Sequence, residues 1–520
     1  MPLRRVCVHA PDATRVEIGT ANGIVPADRD RDDWIAEFEA ATGDAYWLMV
    51  DGGPPLVDPS CRALMHTADG PRSVVREPWP RHPQGVPLSG PPVVYELHVR
   101  GFGRTFAGCI EHLDHVVSVG ANVIELMPVH PFDNADNYWG YMPLVWGAVH
   151  GDYSTDGLRA AEELAALVAA AHTRGIHVWL DVVFNHTGEG DASLPARTLR
   201  GLDDAHSYRH HDDGSYTNDS GCGNDIDPGN ANVRHLVMEA LNRYADLGVD
   251  GFRFDLASLL ARDGGGLIDQ ITQWGIERGV TLIAEPWDMG SYAVGSPIWP
   301  ASWLQWNDRF RDDIRGFLRG EPGLVSVVRE RVRGSGDLFM DGPATTLNFI
   351  TAHDGLTMHD LTTTTSDRYR SWDTGDTLRL QQMKNYFAML LLSAGTPMWV
   401  MGDEFARTQD GHENPYNVDG PISWVDWQRA NEWSELTDFV RSLIELRRQH
   451  PPSDFRFFGD ESPDSLSLAW HANGLYVVVN ASWDPLPFKV QEPGDWKLAL
   501  TTAPQEPSTV APRSIVTLTR

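Results

Sequence analysis

The pattern of apolar and polar positions changes character twice along the chain. Up to about residue 88, short alternating segments (15–18, 34–38 and 46–50) are separated by turn clusters such as Asp51-Gly-Gly-Pro54 and Asp58-Pro-Ser60. Alternation at period two predicts half-buried strands, and so a small β-sandwich. A Pro-rich run at 77–92 reads as a linker. Beyond it the apolar runs become nearly continuous, at 93–99, 123–127, 178–183, 251–255, 281–285, 304–307 (the weakest), 347–351 and 397–401. Such runs suit strands buried on both faces of a parallel sheet. Amphipathic segments lie between most of them, at 106–118, 157–174, 233–247, 266–278 and 377–393. Strands alternating with helices in this way predict an α/β fold, a (β/α)8 TIM barrel. The connection after the third strand, about 185–230, is long and rich in Gly, Asp, Asn and His, as functional insertions at a barrel mouth are. After a helical segment at 432–450, alternation returns at 465–470, 474–479, 496–500 and 513–518, predicting a C-terminal β-sandwich. The expected division is 1–88 N-terminal β-sandwich, 89–454 barrel with an inserted segment at about 186–230, and 455–520 C-terminal β-sandwich.

Composition narrows the class of partner. The formal charge of −30 over 520 residues repels nucleic acid phosphates and anionic lipid, so neither nucleic acid nor membrane is expected as a partner. Cys7, Cys61, Cys109 and Cys222 are far apart, without CxxC or zinc spacing, and are expected as free thiols. The start, Met1-Pro-Leu-Arg-Arg5, lacks an apolar leader core, and no apolar run is long enough to span a membrane. A soluble cytoplasmic protein is the expectation.

Catalytic residues of a (β/α)8 barrel sit where its strands end. The third run ends in Asp181-Val-Val-Phe-Asn185-His186, the fourth in Arg253-Phe-Asp255, the fifth in Ala284-Glu285-Pro286-Trp287 and the seventh in Thr351-Ala-His353-Asp354. Carboxylates and histidines thus gather at the end where reacting groups belong, which points to glycosidic bond cleavage by paired acids. Arg253 and Asp255 share one strand face, and the fixed cation holds Asp255 ionised as a nucleophile. Glu285, set among Ala284, Pro286 and Trp287, is expected in apolar surroundings that keep it protonated for the leaving oxygen. Asp354, His186 and His353 can hydrogen-bond sugar hydroxyls. In the loop after the second strand, Asn137-Tyr-Trp139-Gly-Tyr141 offers aromatic faces for stacking on a sugar ring.

Those four strand ends, in order, resemble the four signature regions of the α-amylase family of glycoside hydrolases. The resemblance implies that Asp255 is the nucleophile, Glu285 the acid/base and Asp354 the transition-state stabiliser. Asp181, His186, Arg253 and His353 would line the central subsite, with Tyr141 stacked on the sugar there and Trp139 beside it. A narrower resemblance is to debranching enzymes of the isoamylase and GlgX type. It rests on Asn137-Tyr-Trp-Gly-Tyr141, Gly221-Cys-Gly-Asn224, Gly395-Thr-Pro-Met398, Gly402-Asp-Glu404, Arg407-Thr-Gln-Asp-Gly411 and Trp424-Val-Asp-Trp427. Ala10-Pro-Asp-Ala13, with the run from Asp51-Gly52 to Asp58-Pro59, resembles a family 48 carbohydrate-binding module. The chain departs from this type in a brief loop at 362–375, in 142–153, and in Ser258 where relatives carry Lys or His. Asn185 resembles a calcium ligand, but the sequence assembles no full oxygen shell around it, so no metal and no cofactor are expected. The expected activity is retaining hydrolysis of α-1,6 branch linkages in glycogen-like α-glucans or limit dextrins. The alternative on the same barrel is α-1,4 hydrolysis, transglycosylation, or release of trehalose from a maltooligosyl-trehalose. An α-glucan oligosaccharide or polysaccharide is the expected partner.

Overall fold

The computed structural model describes residues 1–82, 87–133, 136–506 and 508–520, so the middle of the expected 77–92 linker lies outside the described residues. Eight parallel strands form a closed barrel in chain order: Val94–Leu97, Val123–Leu126, His177–Val182, Gly251–Phe254, Thr281–Ala284, Trp303–Asn307, Thr346–Phe349 and Thr396–Val400. The last pairs with the first, Val400 opposite Glu96. Nearly every barrel-strand residue is buried, which is why these segments read as apolar runs without alternation. The main helices are Phe106–Val119, Ala160–His172, Ala231–Asp246, Gly266–Arg278, Asp308–Arg319, Gly375–Leu391 and Ser434–Gln449. Gly251 opens the fourth strand because a Cβ there would stand 2.5 Å from the Trp179 ring.

By their contacts the residues group into two compact units. The first comprises Met1–Pro87, His98–His112 and Glu125–Trp303; the second comprises Leu88–Leu97, Leu113–Ile124 and Leu304–Arg520. In the first, a three-stranded sheet (Leu3–His9, Asp33–Glu39, Asp28–Asp30) and a five-stranded sheet centred on Val16–Thr20 and Ala45–Val50 bury one apolar cluster. Val6, Val8, Ile18, Phe38, Tyr46 and Leu48 pack there with Leu144 and Val145, from the loop after the second barrel strand, and with Leu202 of the inserted segment. The N-terminal sheets thus share a core with loops of the barrel chain. In the second unit, Arg456–Phe458, Ser467–Ala472, Leu475–Asn480, Ser514–Thr519 and Lys497–Thr501 make a five-stranded sheet, with Leu486–Pro487 paired to Thr509–Val510. The division into modules at 1–88, 89–454 and 455–520 is kept as a proposal.

Candidate active site

The register of the barrel strands builds the site in the first unit. Asp181 stands opposite Arg253 on the neighbouring strand, and Phe254 stands opposite Ala284. One residue further on, Asp255 and Glu285 continue the same pairing: the Asp255 amide donates to the Val182 carbonyl (3.1 Å) and the Glu285 amide to that of Phe254 (3.1 Å). Adjacent strands run about 4.8 Å apart, so the two carboxylates rise side by side.

Arg253 is the hub. It is 1% exposed. Its Nη1 donates to Asp181 Oδ2 (2.8 Å) and Asp255 Oδ1 (3.0 Å), and its Nη2 lies 3.1 Å from Glu285 Oε2. Burial opposes its charge, but Asp181, Glu285, Tyr141 and Asp255 outweigh burial and hold the guanidinium well above its ordinary pKa.

The contact to Glu285 corrects one expectation. The surroundings of this carboxylate are not apolar: besides Arg253, the Leu256 amide donates to the same Oε2 at 2.8 Å. Ala284, Pro286 and Trp287 are only its neighbours in sequence, whereas the register brings a long cationic side chain across from the next strand. Leu256, which supplies this N–H, has a left-handed backbone (φ +40°, ψ +49°), a costly conformation for a residue other than glycine.

Asp255 is anchored from its other side by Asn185. Asn185 Nδ2 donates to the carbonyl oxygen of Asp255 and to its Oδ2, both at 2.8 Å. Those two acceptors fix the orientation of the amide, so Asn185 Oδ1 faces His186 Nδ1 at 2.5 Å. His186 Nε2 meets the Tyr141 carbonyl oxygen at 2.6 Å. Both ring nitrogens therefore face acceptors, and both must carry hydrogen. Burial opposes that charge, while Cys222, Asp255 and the Tyr141 carbonyl overcome it and lift the imidazole to about 9. With both ends of its amide engaged, Asn185 does not fit a calcium-ligand role.

Tyr141 donates its hydroxyl to Asp181 Oδ2 at 2.6 Å and places its ring 6.0 Å from the Arg253 guanidinium carbon. Trp139, half-buried, meets the Tyr141 ring edge-on at 6.3 Å. Ser258 does not replace the missing Lys or His as a free group, since its hydroxyl donates to Asp288 Oδ2 at 2.6 Å.

In the second unit, His353 and the exposed Asp354 follow the seventh strand. His353 Nδ1 lies 2.8 Å from Oε1 of Glu96, which is 1% exposed. Glu96 went unread in the sequence, and its only signal is a carboxylate inside an apolar strand run. The backbone that carries His353 is held by Asp403, which accepts from the Thr351 hydroxyl and, at 3.0 Å, from the Met358 amide. Full burial pushes the Asp403 carboxyl up to about 7.

The inserted segment is organised by its own carboxylate. Glu189, 1% exposed, accepts from the amides of Arg197 (2.7 Å), Thr198 (2.8 Å) and Arg200 (3.2 Å) and from the Tyr208 hydroxyl (2.6 Å). Asn224 seals the base of the segment: its Oδ1 accepts from Thr187 N at 3.0 Å, and its Nδ2 donates to the carbonyls of Thr187 and Gly190.

Comparison with known proteins places this geometry. Residues 94–200 match the model of the alpha amylase catalytic domain. The chain is 34% identical to the glycogen operon protein GlgX homolog of Mycobacterium tuberculosis, over 83% of this chain and 68% of the relative. The chain belongs to the GlgX and isoamylase group of the α-amylase family. It is also 34% identical to the chloroplastic isoamylase SU1 of Zea mays, over 73% of this chain and 58% of that one. Among solved structures, the pullulanase from Anoxybacillus sp. LM18-11 complexed with maltotetraose superposes with a TM-score of 0.86 at 23% identity, covering 100% of this chain and 86% of the other. The pullulanase from Bacillus acidopullulyticus gives 0.82 at 24% identity. These two likenesses bear on the fold, which they share. Among the described residues, no helix is long and apolar enough to cross a membrane.

Proposed function

We propose that the protein is a retaining glycoside hydrolase that removes α-1,6-linked branches from glycogen-like α-glucans or limit dextrins. The observation that carries this reading is the single guanidinium of Arg253 gathering Asp181, Asp255 and Glu285 at adjacent strand ends. One cation bridges two carboxylates only at short range. A close pair suits the retaining reaction, in which the carboxyls stand about 5–5.5 Å apart, and this supports the reading.

Asp255, anchored by Arg253 and Asn185, attacks the anomeric carbon. The glycosidic C–O bond breaks as Glu285 delivers its proton to the leaving oxygen. Glu285, now ionised, takes a proton from water, which displaces Asp255 and restores both groups. In the free protein the contacts of Glu285 with Arg253 and the Leu256 amide both fall on Oε2, and a carboxylic acid can accept there while it carries its proton on the other oxygen. Asp354 is assigned the role of transition-state stabiliser from the resemblance of its motif, Thr351-Ala-His353-Asp354, to the family's last signature region. Tyr141 and Trp139 supply the stacking platform, and Asp181 and His353 contact hydroxyls; His186, expected to do the same, already spends both ring N–H groups on Asn185 and the Tyr141 carbonyl and holds the subsite from behind. The names of the relatives supply the linkage: they are isoamylases and GlgX homologues. Residues 1–88 are proposed as a carbohydrate-binding-module-like sandwich, and the four unpaired cysteines suit the reducing cytoplasm.

Chromatography of products from glycogen and from its phosphorylase limit dextrin tests the reading. Release of short linear maltooligosaccharides from both is the expected result. Product from linear maltooligosaccharides or from maltooligosyl-trehalose alone would overturn debranching.

A further inference from the structure

We propose that His9, Asp12, Asp203 and His206 form a site for a divalent transition-metal ion, zinc by its donor set, which fastens the N-terminal sheet to the inserted segment. Asp203 is 3% exposed, and its Oδ2 makes no hydrogen bond. A carboxylate oxygen buried without a partner is costly, and in a native protein it points to a group that should be there. The other oxygen of the same carboxylate, Oδ1, lies 2.6 Å from His206 Nδ1. One donor atom each from Asp12, Asp203 and His206 can be chosen with all three within 4.8 Å of one another.

A fourth donor, His9 of the N-terminal sheet, stands outside that group of three and approaches it through Asp203. His9 Nε2 lies 3.8 Å from the unpartnered Asp203 Oδ2, too far for a hydrogen bond. Two atoms each about 2.0–2.2 Å from one ion, at tetrahedral angles, stand ~3.4 Å apart, so only a small closure separates this pair from shared coordination. The far side of the His9 ring is already arranged for it. Nδ1 lies 2.8 Å from Asp33 Oδ1, and a carboxylate on one imidazole nitrogen leaves the lone pair on the other, the arrangement that orients metal-bound histidines.

Two imidazoles with two carboxylates suit zinc and its neighbours, whereas calcium takes six or more oxygens. His9 ends the strand Leu3–His9 and Asp12 lies in the turn beyond it. Asp203 and His206 belong to the short helical turns Leu199–Leu202 and Asp204–Ser207 and their junction. An ion here would therefore staple residues nearly two hundred positions apart within one compact unit, and no local spacing in the sequence could have announced it.

The test uses the full chain, stripped with a chelator, incubated with zinc chloride and dialysed. Wild type should retain one zinc more per chain than the His206→Ala, Asp12→Asn double variant. Its thermal midpoint should rise by roughly 2 °C or more with zinc in excess, and the variant's should not. Both substituted side chains are exposed, so the variant should fold, as matching circular dichroism and glucan hydrolysis would verify. Equal zinc retention by wild type and variant would place the metal elsewhere and overturn the proposal. So would a wild type that retains no zinc, with a water molecule then the partner of Asp203, and so would calcium raising the midpoint as far as zinc does.

Discussion

Two buried carboxylate clusters in the same compact unit are satisfied in opposite ways. In the inserted segment, Glu189 is alone among neutral donors, and three backbone amides and a tyrosine hydroxyl close around it. At the strand ends, Asp181, Asp255 and Glu285 share one guanidinium. Glu189 is saturated by groups that cannot move without unfolding the loop, which is the signature of a structural carboxylate. The strand-end acids crowd several negative charges around one cation, and like charges in close company lower stability. Such tension is expected where function, not folding, sets the arrangement.

The sharpest way to break this comparison is to remove one member of each cluster. Asp255→Ala should reduce branch hydrolysis by at least ~10^4-fold, the scale of losing a catalytic nucleophile. Glu285→Gln should cost about 10^2- to 10^4-fold, the scale of a general acid. Both variants should keep a cooperative unfolding transition at or above the wild-type midpoint, because Arg253 retains two carboxylate partners. Residual activity within tenfold of wild type in either variant would remove the role assigned here.

Glu189→Ala should do the reverse. It leaves three amides without their acceptor, while the Tyr208 hydroxyl keeps Thr187 Oγ1 at 2.8 Å, at a cost of about 3–5 kcal/mol, read from the denaturant midpoint. Turnover per folded molecule should change far less than in Asp255→Ala. If Glu189→Ala were as stable as wild type but inactive, the contrast between structural and catalytic carboxylates would be wrong.

His186 joins the two regions, following Asn185 at the end of the third strand and leading into the insertion. Its folded pKa of about 9 lies above the unfolded 6.5. A group raised in this direction contributes stability that is fully present below pH 6.5 and is lost as pH rises through 9. The full contribution is roughly 3 kcal/mol at most. The stability difference between wild type and His186→Asn should therefore be largest at pH 6 and shrink steadily toward pH 9.5. A difference that grows with pH would mean the ring is neutral in the folded protein, contrary to its two carbonyl partners.

What could be read from the sequence follows from what each signal depends on. Barrel strands buried on both faces leave apolar runs, so the (β/α)8 order was legible. The sixth strand, Trp303–Asn307, was the weakest run because Gln305 and Asn307 interrupt it; Asn307 is buried there only because Thr346, Asn348 and Ser335 satisfy its amide. The strand Leu3–His9 was not read, since Arg4, Arg5 and Cys7 dilute its alternation while only Val6 and Val8 are buried. The placement of Asp255 and Glu285 at adjacent strand ends was legible because each closes an apolar run, and the catalytic roles proposed for them rest on that placement. The ion pair from Arg253 to Glu285, the grip of Asn185 on Asp255, and Glu96 behind His353 were not, because each depends on which strand lies beside which and in what register.

The smallest expected effect concerns the backbone between the two acids. Leu256 holds φ at +40°, which costs a non-glycine residue about 1–2 kcal/mol, and in return its amide reaches Glu285 Oε2. If the strain serves only the turn, Leu256→Gly should relieve it and change little else. If it positions Glu285, the same substitution should leave stability within about 1 kcal/mol of wild type, because relief is offset by the greater freedom of glycine in the unfolded chain. The more mobile amide would then hold the acid less firmly and lower kcat severalfold with little change in KM. Leu256→Asn, which tolerates the left-handed region, should recover most of that loss. An unchanged kcat in Leu256→Gly would assign the strained residue to the fold, leaving Arg253 as the main restraint on Glu285.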